Sequence, residues 1–269
     1  MNTDCNSTSK SPRLVKVFDM TALQKAVQVS YERELEELTQ KEQEKYREYI
    51  RVMAEIDWPA YINGDADFHA TIVDKFINEG IDAVISEIYD YYDAVYLKGL
   101  ETDIEELEII RSDRLPLFHE AFLLYQLGYY YGAVSILLSQ IVGITSDIEQ
   151  YLKRNKKWYS PKTMELRNNR YRLNRESDSS RIITAVVEGK SLNEEQGEYN
   201  YLIGYLRFKI FAANLSEEEQ RNHPSRNLVY HGAQLNYGTK EHAMKAILCI
   251  DALIWVAEVI SDEDDEELN

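Results

Sequence analysis

An all-α fold is the prediction of this sequence, and it follows from three observations. Only 11 glycines and 5 prolines occur in 269 residues, which are too few turn-forming residues for the many turns of a β-sandwich or barrel. Long stretches rich in Leu, Glu, Lys, Arg and Gln contain neither residue. Apolar side chains also recur at spacings of three and four residues, the period of an α-helix. The chain is long enough to bury a substantial core.

The charge balance limits the classes of partner. Lys and Arg total 30 against 47 Asp and Glu, a net charge of −17. This argues against a protein that coats nucleic acid or anionic membrane with its whole surface, so we expect any nucleic-acid contact to be local. The two cysteines, Cys5 and Cys249, are too few for a disulfide framework or a cysteine-ligated zinc site. We expect a cytoplasmic protein, since the first dozen residues lack an apolar secretory core.

The N-terminal part is predicted to be a polar tail, 1–19, followed by an acidic helical extension, 20–110. Between Met20 and Ile56 the composition indicates one long or two short surface helices, which end at Asp57-Trp58-Pro59.

An apolar stripe from Ile81 to Tyr96 predicts a further amphipathic helix in this extension. Its other face is acidic, because Asp67 to Asp113 contains 13 acidic and 3 basic residues. A solvated face is the simple interpretation, and a docking face for a protein regulator is the alternative.

An uncharged segment, Ala121 to Ile144, comes next. Its glycines, serines and consecutive tyrosines favour a buried helical hairpin over a membrane span, so we expect no membrane association. Pro116 suits the first turn of the first helix, and Gly128 suits the break between the helices. The second helix should run from about Tyr129 to Leu152.

A basic insertion at about 150–181 follows, with 10 basic and 3 acidic residues. Aromatic residues lie among the cations, an arrangement that could hold an RNA backbone and stack on an unpaired base. A solvated surface loop is the alternative. The candidate RNA-binding residues are Lys153, Arg154, Lys156, Lys157, Trp158, Tyr159, Arg170 and Arg172.

The C-terminal region is predicted to contain further helices. A helical pattern covers Tyr199 to Asn214, and Ser216 with Glu219 forms a capping-box signature for a short helix that His223-Pro224 should close.

Thr239 is a candidate N-cap for the last helix, whose residues 246–257 are apolar on nearly every side. One monomer should not cover all of that surface, so a homodimer is expected. The acidic tail, 261–269, should be solvated and disordered over Asp262 to Glu267.

Motifs for several enzyme classes are missing from the sequence. It contains no Gly-rich phosphate loop, no His-Glu-x-x-His and no Gly-x-Ser-x-Gly. The five histidines lack the paired spacing of metal ligands on one helix, so neither a metal nor another cofactor is expected.

The densest group of polar residues runs from Asn222 to Gly232. Asn227 and His231 lie four residues apart and share one helical face, while Arg226 lies on the neighbouring stripe. Gly232 should end this turn and leave the imidazole accessible. A guanidinium that binds phosphate oxygens and an imidazole that moves a proton suit a phosphodiester substrate, although an Arg and a His five residues apart also occur by chance.

The run Arg226-Asn-Leu-Val-Tyr-His231 resembles the R-x(4–6)-H motif of the HEPN superfamily, in which a polar residue commonly follows the Arg. The hairpin that begins at Arg114-Leu-Pro is similar to the opening hairpin of such domains. The resemblance implies a helical bundle over 111–260, and it leaves the N-terminal extension unexplained. HEPN proteins often carry an acidic residue late in the second hairpin helix, where this chain reads Ser139-Gln-Ile-Val-Gly143.

The resemblance further implies a metal-independent endoribonuclease that acts as a homodimer with a composite active site. His231 would be the general acid or base, Arg226 would stabilise the transition state, and Asn227 would orient the reacting groups. RNA would be cut through its 2′-hydroxyl, in a bacterial toxin, abortive-infection or antiviral defence role. Two alternatives stay open: a non-catalytic dimerisation and interaction module, and an RNA-binding protein without cleavage.

Overall fold

The structure, a computed structural model, describes residues 23–24, 26–30, 40–60, 65–154, 201–202 and 204–267. Across these ranges the backbone is helical or irregular and contains no β-strand, which confirms the all-α prediction. Several helices precede a helical hairpin, and the second helix of that hairpin packs against the last helix. The helices are α1 (Gln40–Glu55), α2 (Ala66–Asn78), α3 (Ile81–Tyr91), α4 (Ala94–Glu106), α5 (Leu115–Gln126), α6 (Tyr130–Arg154), α7 (Glu217–Asn222), α8 (Arg226–Tyr230) and α9 (Lys240–Glu267), with a π-helical turn at Leu206–Ile210.

The uncharged segment forms the predicted hairpin of α5 and α6. Pro116 lies in the first turn of α5, and Gly128 in the connection has φ of 79°, a conformation that side chains other than glycine rarely adopt. Tyr130–Ile148 in α6 is long and apolar enough to span a membrane by length and composition, yet 61% of the stretch is buried inside the protein. Packing against α5 and α9 accounts for that burial.

Helix α9 lies at the centre of the described structure and packs most extensively against α6. Every residue from His242 to Ala257 is buried. The expectation that a single chain cannot cover this helix is therefore wrong, because α6 and the N-terminal helices of the same chain cover it. The backbone of α9 continues as a helix to Glu267, through the acidic run.

Helix α1 is the charged, Gln-rich surface helix that the composition predicts, and one of its faces is buried. That face carries Tyr46, Tyr49, Ile50, Val52 and Met53. These residues recur at three- and four-residue spacings and pack against α2. The charged residues lie on the opposite face, so the overall composition of the helix does not reveal its core-facing apolar stripe.

The apolar stripe from Ile81 to Tyr96 forms two helices instead of one. Asp93 breaks the run, since its Oδ1 accepts hydrogen bonds from the backbone N–H groups of Val95 and Tyr96, at 2.8 and 2.9 Å. This is N-cap geometry, and it starts α4 in a new direction.

Both halves of the chain contribute to one hydrophobic core, which extends from Leu23 to Ile260. Polar contacts also join them: the hydroxyl groups of Tyr92 and Tyr96 donate to Oδ2 of Asp251 on α9, at 2.6 and 2.8 Å. Hence the acidic extension packs directly on α9.

Candidate active site

Helix α8 carries the three predicted catalytic residues and is fixed at its first residue by Ser225. The Ser225 hydroxyl accepts from the backbone N–H of Leu228 at 3.3 Å, which is an N-cap, and donates to the carbonyl oxygen of Ala212 at 2.6 Å. Ser225 is buried. Its two contacts attach α8 to the chain that follows the π-helical turn.

Asn227 makes the second attachment to the same segment. Its Nδ2 donates to the carbonyl oxygen of Phe211 at 2.7 Å, and its Oδ1 accepts from Nη1 of Arg226 at 3.0 Å. The amide orientation is thereby fixed, since a carbonyl oxygen can only accept and a guanidinium can only donate. Asn227 therefore orients the Arg226 guanidinium.

The Arg226 guanidinium lies between Asn227 and the ring of Tyr230. Its Cζ is 5.3 Å from the ring centroid, within the range of a cation–π contact. The Tyr230 hydroxyl donates to the carbonyl oxygen of Ser135 on α6 at 2.6 Å, which holds the ring. The Nε of Arg226 is buried and has no hydrogen-bond partner among the described residues. A buried donor that lacks an acceptor costs free energy.

His231 ends α8 and is exposed. Its backbone N–H donates to the carbonyl oxygen of Asn227 at 3.1 Å, and Gly232 follows with φ of 70°. Within the described part of the chain its imidazole makes no hydrogen bond. The structure thus brings Arg226 and Asn227 into contact and leaves the His231 ring open to solvent, as an acid or base that acts on an external substrate requires.

The segment that leads into α8 is held by buried side chains through its backbone. Gln234 Nε2 donates to the carbonyl oxygens of Gln220 and His223, at 2.6 and 2.8 Å, while its Oε1 accepts from the Ser225 N–H at 2.9 Å. Because Gln234 is buried with its amide fully used, it ties both ends of α8 together.

Two side chains of α9 bind the carbonyl oxygens of the two residues that lie between Gln220 and His223. His242 Nε2 lies 2.8 Å from the carbonyl oxygen of Arg221, and Lys245 Nζ donates to that of Asn222 at 2.8 Å. Burial lowers the pKa of both groups. Four consecutive carbonyl oxygens, 220–223, therefore bind buried side chains, and the path of the chain into α8 is fixed.

A groove of about 270 Å³ is lined by Tyr89, Tyr125, Tyr130 and Lys240, and none of the candidate catalytic residues lines it. Among the described residues no group of three or more His, Cys, Asp or Glu side chains could hold a metal ion.

The predicted RNA-binding set lies almost entirely outside the described residues. Lys153 and Arg154 end α6, and Arg154 is exposed. Lys156, Lys157, Trp158, Tyr159, Arg170 and Arg172 are outside the described ranges.

Sequence reasoning missed the residues that support α8. Ser225 precedes Arg226 as a capping residue would, so its role had a local signal. Gln234 and the carbonyl oxygen of Phe211 had none, because their contacts join residues 9 to 16 positions apart.

Comparison with family models, with curated proteins and with solved structures found no match for this chain.

Proposed function

We propose that the protein is a metal-independent endoribonuclease of HEPN type, with Arg226, Asn227 and His231 as its catalytic residues. The observation that supports it most is the arrangement on α8: a guanidinium oriented by Asn227, and an exposed imidazole one turn away. The family assignment itself rests on the resemblance of the motif.

The chemistry needs one proton acceptor and one centre of positive charge. His231 removes the proton from a ribose 2′-hydroxyl, whose oxygen attacks the adjacent phosphorus. The bond to the 5′-oxygen breaks, and that oxygen takes up a proton from water to become a 5′-hydroxyl, while His231 releases its proton to solvent. Arg226 stabilises the added negative charge on the phosphate oxygens in the transition state. The products are a 2′,3′-cyclic phosphate and a 5′-hydroxyl, and DNA resists because it lacks the nucleophile.

A second copy of the chain completes the proposed site. Apolar side chains are exposed beside α8: Leu127, Tyr129 and Tyr131 at the α5–α6 turn are 60%, 64% and 55% exposed, and Leu235 is 75% exposed. The Tyr131 and Tyr237 rings lie 5.0 Å apart, which places this turn next to the segment that follows α8. A homodimer that buries this patch would bring two copies of the motif together.

The same patch also favours the second candidate function, a non-catalytic interaction module. In that case dimerisation persists while His231 is dispensable.

An RNA-binding protein without cleavage is the third candidate. It predicts that replacing Lys156 and Lys157 with Glu weakens RNA binding and reduces its salt dependence, whereas a change of His231 has no effect. A toxin or antiviral defence role rests on the resemblance alone.

The direct experiment is to incubate the purified full chain with total RNA in EDTA and to map the new ends. New 2′,3′-cyclic phosphate and 5′-hydroxyl ends support the ribonuclease. Intact RNA after incubation with folded, dimeric protein contradicts it and favours the interaction module.

A further inference from the structure

Asp57 has an unusual backbone conformation directly after α1. Its φ of 57° lies in the left-handed region, which residues other than Gly, Asn and Asp seldom occupy. Its N–H donates to the carbonyl oxygen of Ala54, and the N–H of Trp58 donates to that of Met53. The chain therefore turns sharply here, and the turn aims the Asp57 carboxylate at the C-terminal half of the molecule.

The carboxylate contacts two residues near α8. Asp57 Oδ2 accepts from Nε2 of His223 at 2.7 Å and from Nζ of Lys209 at 3.1 Å. These contacts lower the pKa of Asp57 to about 2 despite the opposing effect of burial. Glu219 also lies near this cluster, 3.7 Å from Lys209 Nζ.

His223 depends on Asp57 because its side chain is buried, with 1% exposure. Its Nδ1 lies 3.1 Å from the hydroxyl of Tyr205, which is also buried. A neutral imidazole with its proton on Nε2 satisfies both neighbours, since it donates to Asp57 and accepts from Tyr205. Without Asp57, the buried Nε2 N–H loses its acceptor, and an unpaired buried donor is costly.

The contact between Asp57 and His223 affects α8 because His223 lies close to the first residue of that helix. It lies two residues before Ser225, the N-cap of α8, and its own carbonyl oxygen accepts from Gln234. Pro224 between them has a fixed φ, so a shift of His223 is transmitted to Ser225 with little absorption by the backbone.

We propose that Asp57 is a positioning residue that couples the N-terminal helices to the α8 site. When the last turn of α1 moves, the carboxylate leaves His223, and α8 loosens together with Arg226, Asn227 and His231. The Asp57 side chain is 46% exposed, so a partner that binds the N-terminal helices can reach the contact. The effect on catalysis rests on the proposed function, whereas the effect on α8 does not.

The test compares variants of the full chain by hydrogen exchange of the backbone amides at 226–233. Asp57→Gly removes the carboxylate and tolerates the left-handed backbone. Exchange there should accelerate about tenfold or more. Asp57→Asn keeps an acceptor and should restore most of the protection. The control is Asp65→Ala, which removes the cap of α2 in the same half of the chain and should leave exchange at 226–233 unchanged.

Equal acceleration in the Asp57→Gly and Asp65→Ala variants, or none in either, overturns the coupling. If Asp57→Gly does not fold, Asp57→Ala also removes the carboxylate, and exchange at 226–233 equal to that of wild type in this variant overturns the coupling. In cleavage assays Asp57→Gly should lower kcat with KM unchanged, and Asp57→Asn should restore kcat. Accelerated exchange in a protein whose wild type cleaves no RNA supports the coupling and contradicts the proposed function.

Discussion

Among single residues, His69 shows how burial without hydrogen bonds fixes a protonation state. Its ring lies 4.6 Å from the ring of Tyr46 and 4.0 Å from that of Tyr49, and neither ring nitrogen has a hydrogen-bond partner among the described residues. Burial lowers its pKa to about 3, against the weaker opposing effect of Asp65. The imidazole is therefore neutral and packs as an aromatic ring.

We predict that His69 makes the protein sensitive to acid. Between pH 6.5 and about 3 the unfolded chain binds a proton that the native chain does not, so the free energy of unfolding falls as pH falls, by about 1.4 kcal/mol per pH unit. His69→Phe should reduce this slope, since Phe keeps the ring packing. Urea unfolding of wild type and His69→Phe at pH 7, 5.5 and 4.5 measures this pH dependence.

The matched control is His119→Phe, because the His119 side chain is 66% exposed. It should retain the wild-type slope. A His69→Phe variant with the same slope as wild type would show that His69 is protonated in the native state.

The sequence predicted those single residues whose roles depend on contacts within a few positions of the chain. Gly128, Gly232 and the Ser216–Glu219 capping box all act within a few residues, and each has the predicted conformation or contact. Asp57 and His223 are 166 residues apart, and no local pattern connects them. The part of the candidate site on α8 was predictable for that reason, whereas the supports that Gln234 and Phe211 provide were not.

At the scale of elements, the α5–α6 hairpin is joined by a polar contact inside an apolar interface. Arg114 donates through Nε and Nη2 to the two carboxylate oxygens of Asp147, at 2.6 and 3.1 Å, and through Nη1 to Gln140 at 3.2 Å. A Cβ at position 143 would overlap the Arg114 guanidinium. Gly143 is therefore required for the ion pair.

We predict that Gly143→Ala lowers the free energy of unfolding by about 2–4 kcal/mol, because it displaces Arg114 and leaves the Asp147 carboxylate buried without its partner. Gly99→Ala on α4 is the control. A Cβ there meets no atom within 4 Å, so helix propensity should raise stability by about 0.5–1 kcal/mol. Urea unfolding compares the two variants, and equal effects would contradict the role of Gly143.

Elements were predictable where composition and packing agree. The hairpin and α9 were identified because their apolar residues have helical spacing and are buried. Helix α1 lies on the surface, as its charges predict, but its composition does not show that Tyr46, Tyr49 and Met53 share a buried face. The helices that cover α9 come from distant parts of the chain, and a local pattern does not show them. For this reason the apolar surface of α9 was a wrong argument for a dimer.

At the scale of the whole molecule, both halves share a core, and the apolar patch beside α8 is exposed. Leu127 and Leu235 are the most suitable probes of this patch, because neither belongs to the catalytic set. Val95 on α4, 79% exposed, is a matched residue on another helix.

We predict that the Leu127→Lys, Leu235→Lys double variant weakens dimerisation at least about tenfold without lowering the stability of the monomer, since charges there disfavour an apolar interface. Sedimentation velocity over a range of micromolar concentrations measures it. Val95→Lys should leave association unchanged. A wild-type protein that is monomeric throughout this range would contradict the composite site.

The central claim is tested most directly by the rate at which wild type and His231→Ala cleave one mapped RNA in EDTA. The account predicts that His231→Ala lowers the rate by about 10²–10⁴-fold, while the control His119→Ala retains it. A single 2′-deoxynucleotide at the cut site should stop cleavage by wild type. Equal cleavage by wild type and folded His231→Ala, or cleavage at the 2′-deoxy position, would contradict the account.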